Sequence, residues 1–475
     1  MATINEYSDQ DQYDDDIQSI THKECKDFSS SNTHTGEADE QEYPEGGRGW
    51  LVILGCGIGS LLGFGMINTY GAFQTYYETE LFPKTSSQSL SLVGACQASF
   101  LYFFTPLFTP LVHAFGIRQV LIAGCSLMVI GIFGLSTTNE GELWKCYLFQ
   151  AVLYSLGSAC VFTSVMMSPL EWFKKKRASA FAANFIFVGV GGIVWPLIFK
   201  HMIKSSGFKW TVRTMAFIYI PLSIGVIILI PQRLDEKYVY CYNNISNSRW
   251  NNQKIKDLPN AYLKMLNDWF LYVQNWRFAL MLLSNVIGSF AVYPAIFYLD
   301  YFGNIIAPKA QVSSYLVVLY NAMGIVGRIA PAVLADKMGR TNVLMIWIGI
   351  AGVSLLAIWI PAIQTRSIDI YVGFVTLFGF TVGAYFSLFP ACVGQLFGLK
   401  GSQARFGLFM MLATPGPLIG CLIAGSFIPK GSNSTTEIVD AFYKLVIFSG
   451  VMLMADAFVL SVVRLSISKK LLAFV

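Results

Sequence analysis

Twelve apolar segments, each long enough to cross a lipid bilayer, constrain this chain more than any other feature of its sequence. A transmembrane helix needs about 20 consecutive apolar residues. Only 13% of the residues are charged, whereas a soluble domain carries about 25%. The sequence therefore predicts an all-α membrane protein with twelve transmembrane helices. The predicted spans are residues 49–73, 89–112, 117–137, 146–170, 178–200, 211–231, 277–301, 312–335, 341–361, 369–392, 403–427 and 440–463.

The spans fall into two halves that repeat each other. Pro169 and Pro390 lie 221 residues apart, and so do Pro196 and Pro417, which favours a duplicated unit of six helices. The predicted regions are a six-helix bundle at 48–231, a linker at 232–276, a second six-helix bundle at 277–463 and a tail at 464–475. The apolar spacing in the second part of the linker predicts a helix that lies along the membrane surface.

Charge outside the spans predicts the orientation. Residues 1–47 hold 13 Asp and Glu against two Lys and almost no apolar residues, which is typical of a disordered tail. The loops on the side of this tail carry 20 Lys and Arg, and the loops on the other side carry 10. Because basic residues stay in the cytosol, both termini are predicted to be cytosolic.

The motifs of several other function classes are missing from the sequence. It contains no GxxxxGK[ST], no HExxH and no GxSxG pattern, so nothing points to an enzyme or to ATP hydrolysis. The nine Cys form no CxxC pair and the four His have no zinc spacing, so no metal or other cofactor is expected. The basic residues lie in short loops and do not indicate a nucleic-acid partner. Because no ATP-binding motif is present, any transport of a solute against its gradient would have to use an ion gradient.

Arg328 is the leading candidate for a functional residue. It lies inside an apolar run, eight positions before Asp336, and therefore about 12 Å into a core about 30 Å thick. A central Arg costs about 2.5–3.5 kcal/mol on insertion scales, so it should face a polar cavity or a partner. Its fork of donors matches a carboxylate. A structural ion pair within the bundle is the alternative.

Charged turns between spans are candidate gates. Asp336, Lys337, Gly339 and Arg340 join two antiparallel neighbouring spans, and the acidic and basic groups could lock adjoining helix ends. Glu171 could pair with the basic cluster that runs from Lys174 to Arg177 and help to close the cytosolic side. The same cluster could simply fix the orientation beside anionic lipid.

Uncharged residues inside the spans are candidates for the wall of a cavity. Asn68 could offer a hydrogen bond to a solute or bond a neighbouring backbone. Tyr385, Phe386 and Phe389 could form the aromatic side of a cavity or face lipid. Asp456, a lone carboxylate in the last span, could pair within the bundle or titrate, and the structural role is favoured.

Three motifs resemble those of known transporters. ADKMGR at 335–340 resembles the signature of the major facilitator superfamily between helices two and three, here in the second half. Its first-half counterpart, LVHAFGIR at 111–118, has His113 where Asp is expected and Ala114 where a basic residue is expected. PEGGRGW at 44–50 and EWFKKKRASAFA at 171–182 resemble the monocarboxylate-transporter-like family, in its fungal branch. The similarity covers about residues 44–465.

The resemblance implies a fold of two six-helix bundles and carries some site residues over. Arg328 matches the Arg that holds a substrate carboxylate in the family. Asn68 stands where the family has a coupling Lys, and Gly324 stands where it has an acidic residue. Two of three coupling groups are therefore replaced, and weaker proton coupling is expected.

The function expected from this resemblance is secondary active transport of a small organic solute by alternating access. The expected solute is a monocarboxylate or another organic anion, with protons as the candidate coupling ion. A fungal carrier of another solute, such as riboflavin, and a non-transporting nutrient sensor are the alternatives. The protein is expected to work as a monomer in the plasma membrane, with the vacuolar membrane as the alternative.

Overall fold

A computed structural model describes residues 46–173, 177–231, 252–308, 310, 312, 315–397, 402–427 and 435–467. Within these ranges every regular element is a helix. Eleven helical segments of the described part are long and apolar enough to cross a membrane. The all-α membrane fold predicted from hydropathy is therefore confirmed.

The first half begins with four helices and continues into a fifth, longer element. The first four are single helices: α1 (Arg48–Tyr76), α2 (Ser87–Phe115), α3 (Ile117–Leu135) and α4 (Tyr154–Trp172). A short helix, Leu143–Lys145, and a π-helical turn, Cys146–Leu153, lead into α4, and another π-helical turn, Tyr77–Leu81, extends α1.

The element α5 (Arg177–Leu229) folds back on itself. Gly207 has φ 68° and ψ 173°, a conformation that ends a helix and that glycine adopts without strain. The rings of Trp195 and Tyr219 lie 4.7 Å apart, although a straight helix would separate residues 24 positions apart by about 36 Å. This element therefore contains two predicted spans, 178–200 and 211–231, as a first arm and a second arm.

The remainder of the chain starts with a helix in the linker and continues with the second half. These helices are α6 (Asn252–Val273), α7 (Trp276–Phe297), α8 (Leu299–Ile306), α9 (Leu316–Met338), α10 (Arg340–Ser354), α11 (Ile368–Phe397), α12 (Ser402–Ala413), α13 (Cys421–Phe427) and α14 (Thr435–Ile467). The π-helical turn Leu355–Trp359 and the short helix Ile360–Thr365 extend α10, and the π-helical turn Gly416–Gly420 lies between α12 and α13.

Small residues let α1 approach its neighbours closely. A Cβ placed on Gly59 would lie 2.8 Å from Val165 Cγ2, and one on Gly63 would lie 2.9 Å from Ser158 Oγ, both on α4. Helices in lipid gain little from the hydrophobic effect and depend on such close van der Waals contact. Gly59 and Gly63 thus let α1 pack closely against α4.

The linker helix α6 contacts both halves. The Tyr262 hydroxyl donates to the Leu107 carbonyl at 2.8 Å, and Trp269 Nε1 donates to the Ala404 carbonyl at 2.8 Å. Burial raises the pKa of Tyr262, so the hydroxyl keeps its proton. Leu266 and Phe270 are exposed beside these contacts. Exposed apolar side chains next to such anchoring contacts are typical of a helix at a membrane surface.

Candidate functional site

The first arm of α5 and α9 meet through two glycines, and this contact joins the two halves. A Cβ on Gly189 would lie 2.5 Å from Ile325 Cγ1 and 2.7 Å from Arg328 Nη1. A Cβ on Gly192 would overlap the side-chain amide of Asn321, which donates to the Val317 carbonyl at 2.8 Å. Because glycine has no side chain, Arg328 and Asn321 rest directly on α5.

Arg328 is buried at this junction with part of its hydrogen-bonding capacity unused. Its side chain is 5% exposed, and within the described part of the chain Nε and Nη1 have no hydrogen-bond partner. A buried donor without a partner is costly, more so when it is charged. The Tyr320 hydroxyl lies within electrostatic range of both Arg328 and Tyr102. The guanidinium therefore keeps donors that no described residue uses.

A small cavity lies between α2 and helices of the second half. It has a volume of about 30 Å³, which is room for about one water molecule. The hydroxyls of Tyr102 and Tyr293 contact each other across the two halves. Aromatic and small polar side chains form the wall, namely Tyr102, Asn285, Ser289, Tyr293, Tyr385, Phe386, Phe389, Pro390, Phe409, Met410 and Ala413.

The structure brings Tyr385 and Phe389 together in this wall. Their rings lie 5.2 Å apart, and both side chains are buried instead of facing lipid. The Tyr385 hydroxyl donates to the Asn285 carbonyl at 3.2 Å and lies 3.3 Å from Asn285 Oδ1. Arg328 does not line the cavity.

Asn68 lies on α1, close to the same junction. Its Nδ2 donates to the Val188 carbonyl at 3.5 Å, at the long limit of a hydrogen bond. Val188 directly precedes Gly189, against which Arg328 rests. The hydrogen bond from Asn68 to a neighbouring backbone, one of the two alternatives considered from the sequence, is therefore present. The side chain is half-buried next to the contact between Arg328 and Gly189.

An ion pair joins the halves at the end of the bundle opposite to the 336–340 turn. Lys200 Nζ, on the first arm of α5, lies 2.9 Å from Asp300 Oδ2 on α8. Asp300 Oδ1 accepts from the Val317 backbone N–H at 2.9 Å, at the start of α9. The carboxylate is 2% exposed. Its two oxygens thus hold α5 and α9 together.

The structure describes the predicted gate residues only in part. Gly339 has φ 90°, in the left-handed region that favours glycine, and it separates α9 from α10. Arg340 Nη1 donates to the Ala391 carbonyl at 3.4 Å, and Lys337 is exposed. The side chains of Asp336, Glu171 and Arg177, and the whole of Lys174, lie outside the described part. Both predicted locks stay predictions.

Sequence reasoning missed several of these contacts. In the sequence, Lys200 is one of ten basic residues on its side of the membrane, and Tyr102 and Tyr293 belong to no motif. A usable signal was present for Lys200 and Asp300. They are isolated opposite charges at the ends of spans predicted to reach the same side of the membrane.

Comparisons with known proteins agree with this architecture. The Major Facilitator Superfamily matches residues 53–421. The MFS transporter asaE of Aspergillus flavus is 30% identical, over 90% of this chain and 89% of that protein. The riboflavin transporter MCH5 of Saccharomyces cerevisiae is 27% identical, over 84% of this chain and 77% of that protein.

A solved structure shares the fold. It is that of a bacterial homologue of the human drug peptide transporters PepT1 and PepT2, with a TM-score of 0.66 and 13% identity, covering 89% of this chain and 99% of that chain. The family match spans most of the chain and agrees with the membrane-length helices found here. The chain therefore belongs to the Major Facilitator Superfamily and is an integral, multi-pass membrane transporter.

Proposed function

We propose that the protein is a secondary active carrier of a small organic anion, with a monocarboxylate as the expected class, and that Arg328 binds the carboxylate. The observation that carries this proposal is the buried guanidinium with unused donors at the junction of the two halves. A carboxylate offers two oxygens to the two parallel donors of an Arg. A group bound there would touch both halves, as alternating access requires.

The small cavity supports an organic solute with an apolar part. Tyr385 and Phe389 offer ring surface in it, and the hydroxyls of Tyr102 and Tyr293 offer uncharged hydrogen bonds. Asn68 is our candidate for a further neutral hydrogen bond from the first half. The halves must separate before such a solute can enter, because the cavity has room for about one water molecule only.

The alternative solute is a planar aromatic molecule such as riboflavin. The aromatic wall of the cavity favours it, since stacked or edge-on rings contribute about 0.5–1.5 kcal/mol beyond burial, and a relative is named as a riboflavin transporter.

The proposal has both termini in the cytosol, as the distribution of Lys and Arg supports. The plasma membrane is the proposed location, with the vacuolar membrane as the alternative, and the proposed unit is a monomer.

The test is uptake and counterflow of radiolabelled lactate by the purified protein in lipid vesicles, with riboflavin as the competing solute. Arg328→Gln should abolish lactate movement. Arg328→Lys should lower it sharply, because the charge remains and the two-pronged fork is lost. Lactate that binds without accumulating would favour the sensor. Normal lactate transport by Arg328→Gln would make Arg328 structural and overturn the proposal.

A matched control is available for the loss of a buried arginine. Arg464 is 2% exposed, and its Nε donates to Asn342 Oδ1 at 2.8 Å. Arg464→Gln should therefore lower the thermal stability and leave the affinity for lactate unchanged. Arg328→Gln should remove the affinity for lactate without lowering the thermal stability. The reason is that Nε and Nη1 of Arg328 have no hydrogen-bond partner in the described part of the chain.

A further inference from the structure

Asp456 is a buried carboxyl group that none of the contacts described so far uses. It lies on α14 and is 0% exposed. Oδ1 accepts a hydrogen bond from the Ser284 hydroxyl on α7. Oδ2 has no hydrogen-bond partner, and no Lys, Arg or His pairs with the group, as far as the described residues extend. Burial without a counter-charge strongly disfavours a charged carboxylate.

A glycine in α7 brings this carboxyl close to the wall of the cavity. A Cβ on Gly288 would overlap Asp456 Oδ2 and would lie 3.1 Å from the Tyr385 hydroxyl, so both groups pack where a side chain would otherwise lie. The Tyr385 hydroxyl bonds Asn285, and both residues line the cavity. Asp456 therefore lies directly behind the Tyr385 side chain that forms part of this wall.

Other titratable and charged groups on the elements around Asp456 do not balance its charge. From α11, Tyr385 faces it beside Gly288. The neighbouring helices α10 and α13 contribute Arg340 and Cys421, and neither acts on the carboxyl. On α14 itself, Arg464 lies eight positions further along, about 12 Å along the axis. The charge state of Asp456 is thus set by burial and by access to water.

We propose that Asp456 is a proton-binding site of the transporter, linked to the cavity through Tyr385 at the close contact beside Gly288. The group binds a proton in the conformation seen here and releases it when movement of α7 or α11 separates this contact and admits water. The proton is the only species exchanged. Its role in coupling rests on the proposed carrier function, since a proton carried with a monovalent anion makes the transported pair neutral.

The first experiment detects the proton directly and needs no solute. Infrared spectra of the purified protein in lipid vesicles should show a carboxylic-acid C=O band at neutral pH. Asp456→Asn should remove this band, Asp456→Glu should shift it, and Asp369→Asn, which changes an exposed carboxylate at the start of α11, should leave it. If neither Asp456 variant changes the band, the group is ionised and the proposal is wrong.

The second experiment asks whether this proton is linked to the conformation. Spin labels at the exposed residues Thr79 and Thr365, one in each half at the end that carries Lys200, report the separation of the halves by pulsed EPR. The distances should shift with pH in the native protein and in Asp369→Asn. In Asp456→Asn they should stay at the low-pH values of the native protein. An equal shift in Asp456→Asn would overturn the link.

These readouts are independent of the solute. If lactate does not move in the native protein while the infrared band and the pH-dependent distances behave as expected, the proposed solute class is wrong and the proton site stands. If lactate moves and both readouts fail, the carrier function stands and Asp456 is a structural residue.

Discussion

Asp300 on α8 accepts hydrogen bonds from two separate parts of the protein, Lys200 Nζ at 2.9 Å and the Val317 backbone N–H at 2.9 Å. Lys200 belongs to the first half, whereas Asp300 and Val317 belong to the second. Hydrogen bonds to a buried charged group contribute about 1.5–3 kcal/mol. The carboxylate therefore stabilises contact between the halves at the end opposite to the 336–340 turn.

Removing this ion pair should open that end of the transporter. In Lys200→Ala the closed arrangement should lose about 1.5–3 kcal/mol, a change of roughly ten- to a hundredfold in its population. Distances between labels on the two halves at this end measure the change. The charge swap Lys200→Asp with Asp300→Lys should restore part of the closed population.

A second lysine pair provides the control for this prediction. Lys145 Nζ lies 2.7 Å from Glu142 Oε2, but both residues belong to the first half. Lys145→Ala should leave the distance between the halves unchanged. Equal distances in Lys200→Ala and the native protein would show that the ion pair does not hold the halves together.

Glycine at position 192 should be required for the same contact. In Gly192→Ala the new Cβ overlaps the Asn321 side chain, and overpacking of this kind costs about 1–3 kcal/mol. We expect a lower thermal stability and a wider separation of the halves. Gly225→Ala is the control, because a Cβ there meets nothing within 4 Å, and alanine favours a helix over glycine by about 1 kcal/mol. Identical behaviour of the two variants would contradict the prediction.

The tyrosine pair in the cavity wall should affect transport as well as stability. Tyr102 and Tyr293 come from different halves, so Tyr102→Phe and Tyr293→Phe should weaken the contact between the halves and alter lactate counterflow. A double-mutant cycle should give a coupling of about 0.5–1.5 kcal/mol in thermal stability. Additive effects would show that the two hydroxyls do not interact.

The first half contains a comparable pair of tyrosines. The hydroxyls of Tyr154 and Tyr219 lie 3.1 Å apart, and both residues belong to this half. Tyr219→Phe should lower the thermal stability by about 1 kcal/mol and leave counterflow unchanged. A loss of counterflow equal to that of Tyr102→Phe would assign the effect to general stability instead of the cavity.

Features of the structure that depend on neighbouring residues in the sequence could be predicted. Hydropathy is local, so the predicted span 89–112 agrees with the membrane-length segment Gln88–Val112. The burial of Arg328 was predictable because a lone charge stands out in an apolar run. Its role as an anion ligand stays a prediction.

Contacts between the halves could not be derived in the same way. Tyr102 and Tyr293 are 191 residues apart, and Lys200 and Asp300 are 100 residues apart. Only the packing of the helices decides which of many tyrosines and charged helix ends meet. The Gly192–Asn321 contact depends on the rotation of two helices about their axes, which apolar composition does not determine.

Gly324→Asp should place a competing carboxylate beside Arg328. A Cβ on Gly324 would lie 3.8 Å from Arg328 Nη1 and 3.6 Å from the Gly379 carbonyl oxygen, both ordinary contact distances, so a side chain can start there without overlap. An ionic hydrogen bond of about 1.5–3 kcal/mol to Arg328 should raise the thermal stability. It should also weaken lactate binding roughly ten- to a hundredfold, because lactate must displace it.

The pH dependence of this variant separates a charge effect from a steric one. Protonation of the introduced carboxyl removes the competitor, so lactate affinity in Gly324→Asp should increase as the pH falls. Gly324→Asn has nearly the same volume and no charge, and its affinity should not follow pH in this way. Calorimetric titration with lactate measures the affinity, and thermal unfolding without solute measures the stability. If Gly324→Asp gains no stability over Gly324→Asn and binds lactate equally well at every pH, then Arg328 is not available to a carboxylate at this site.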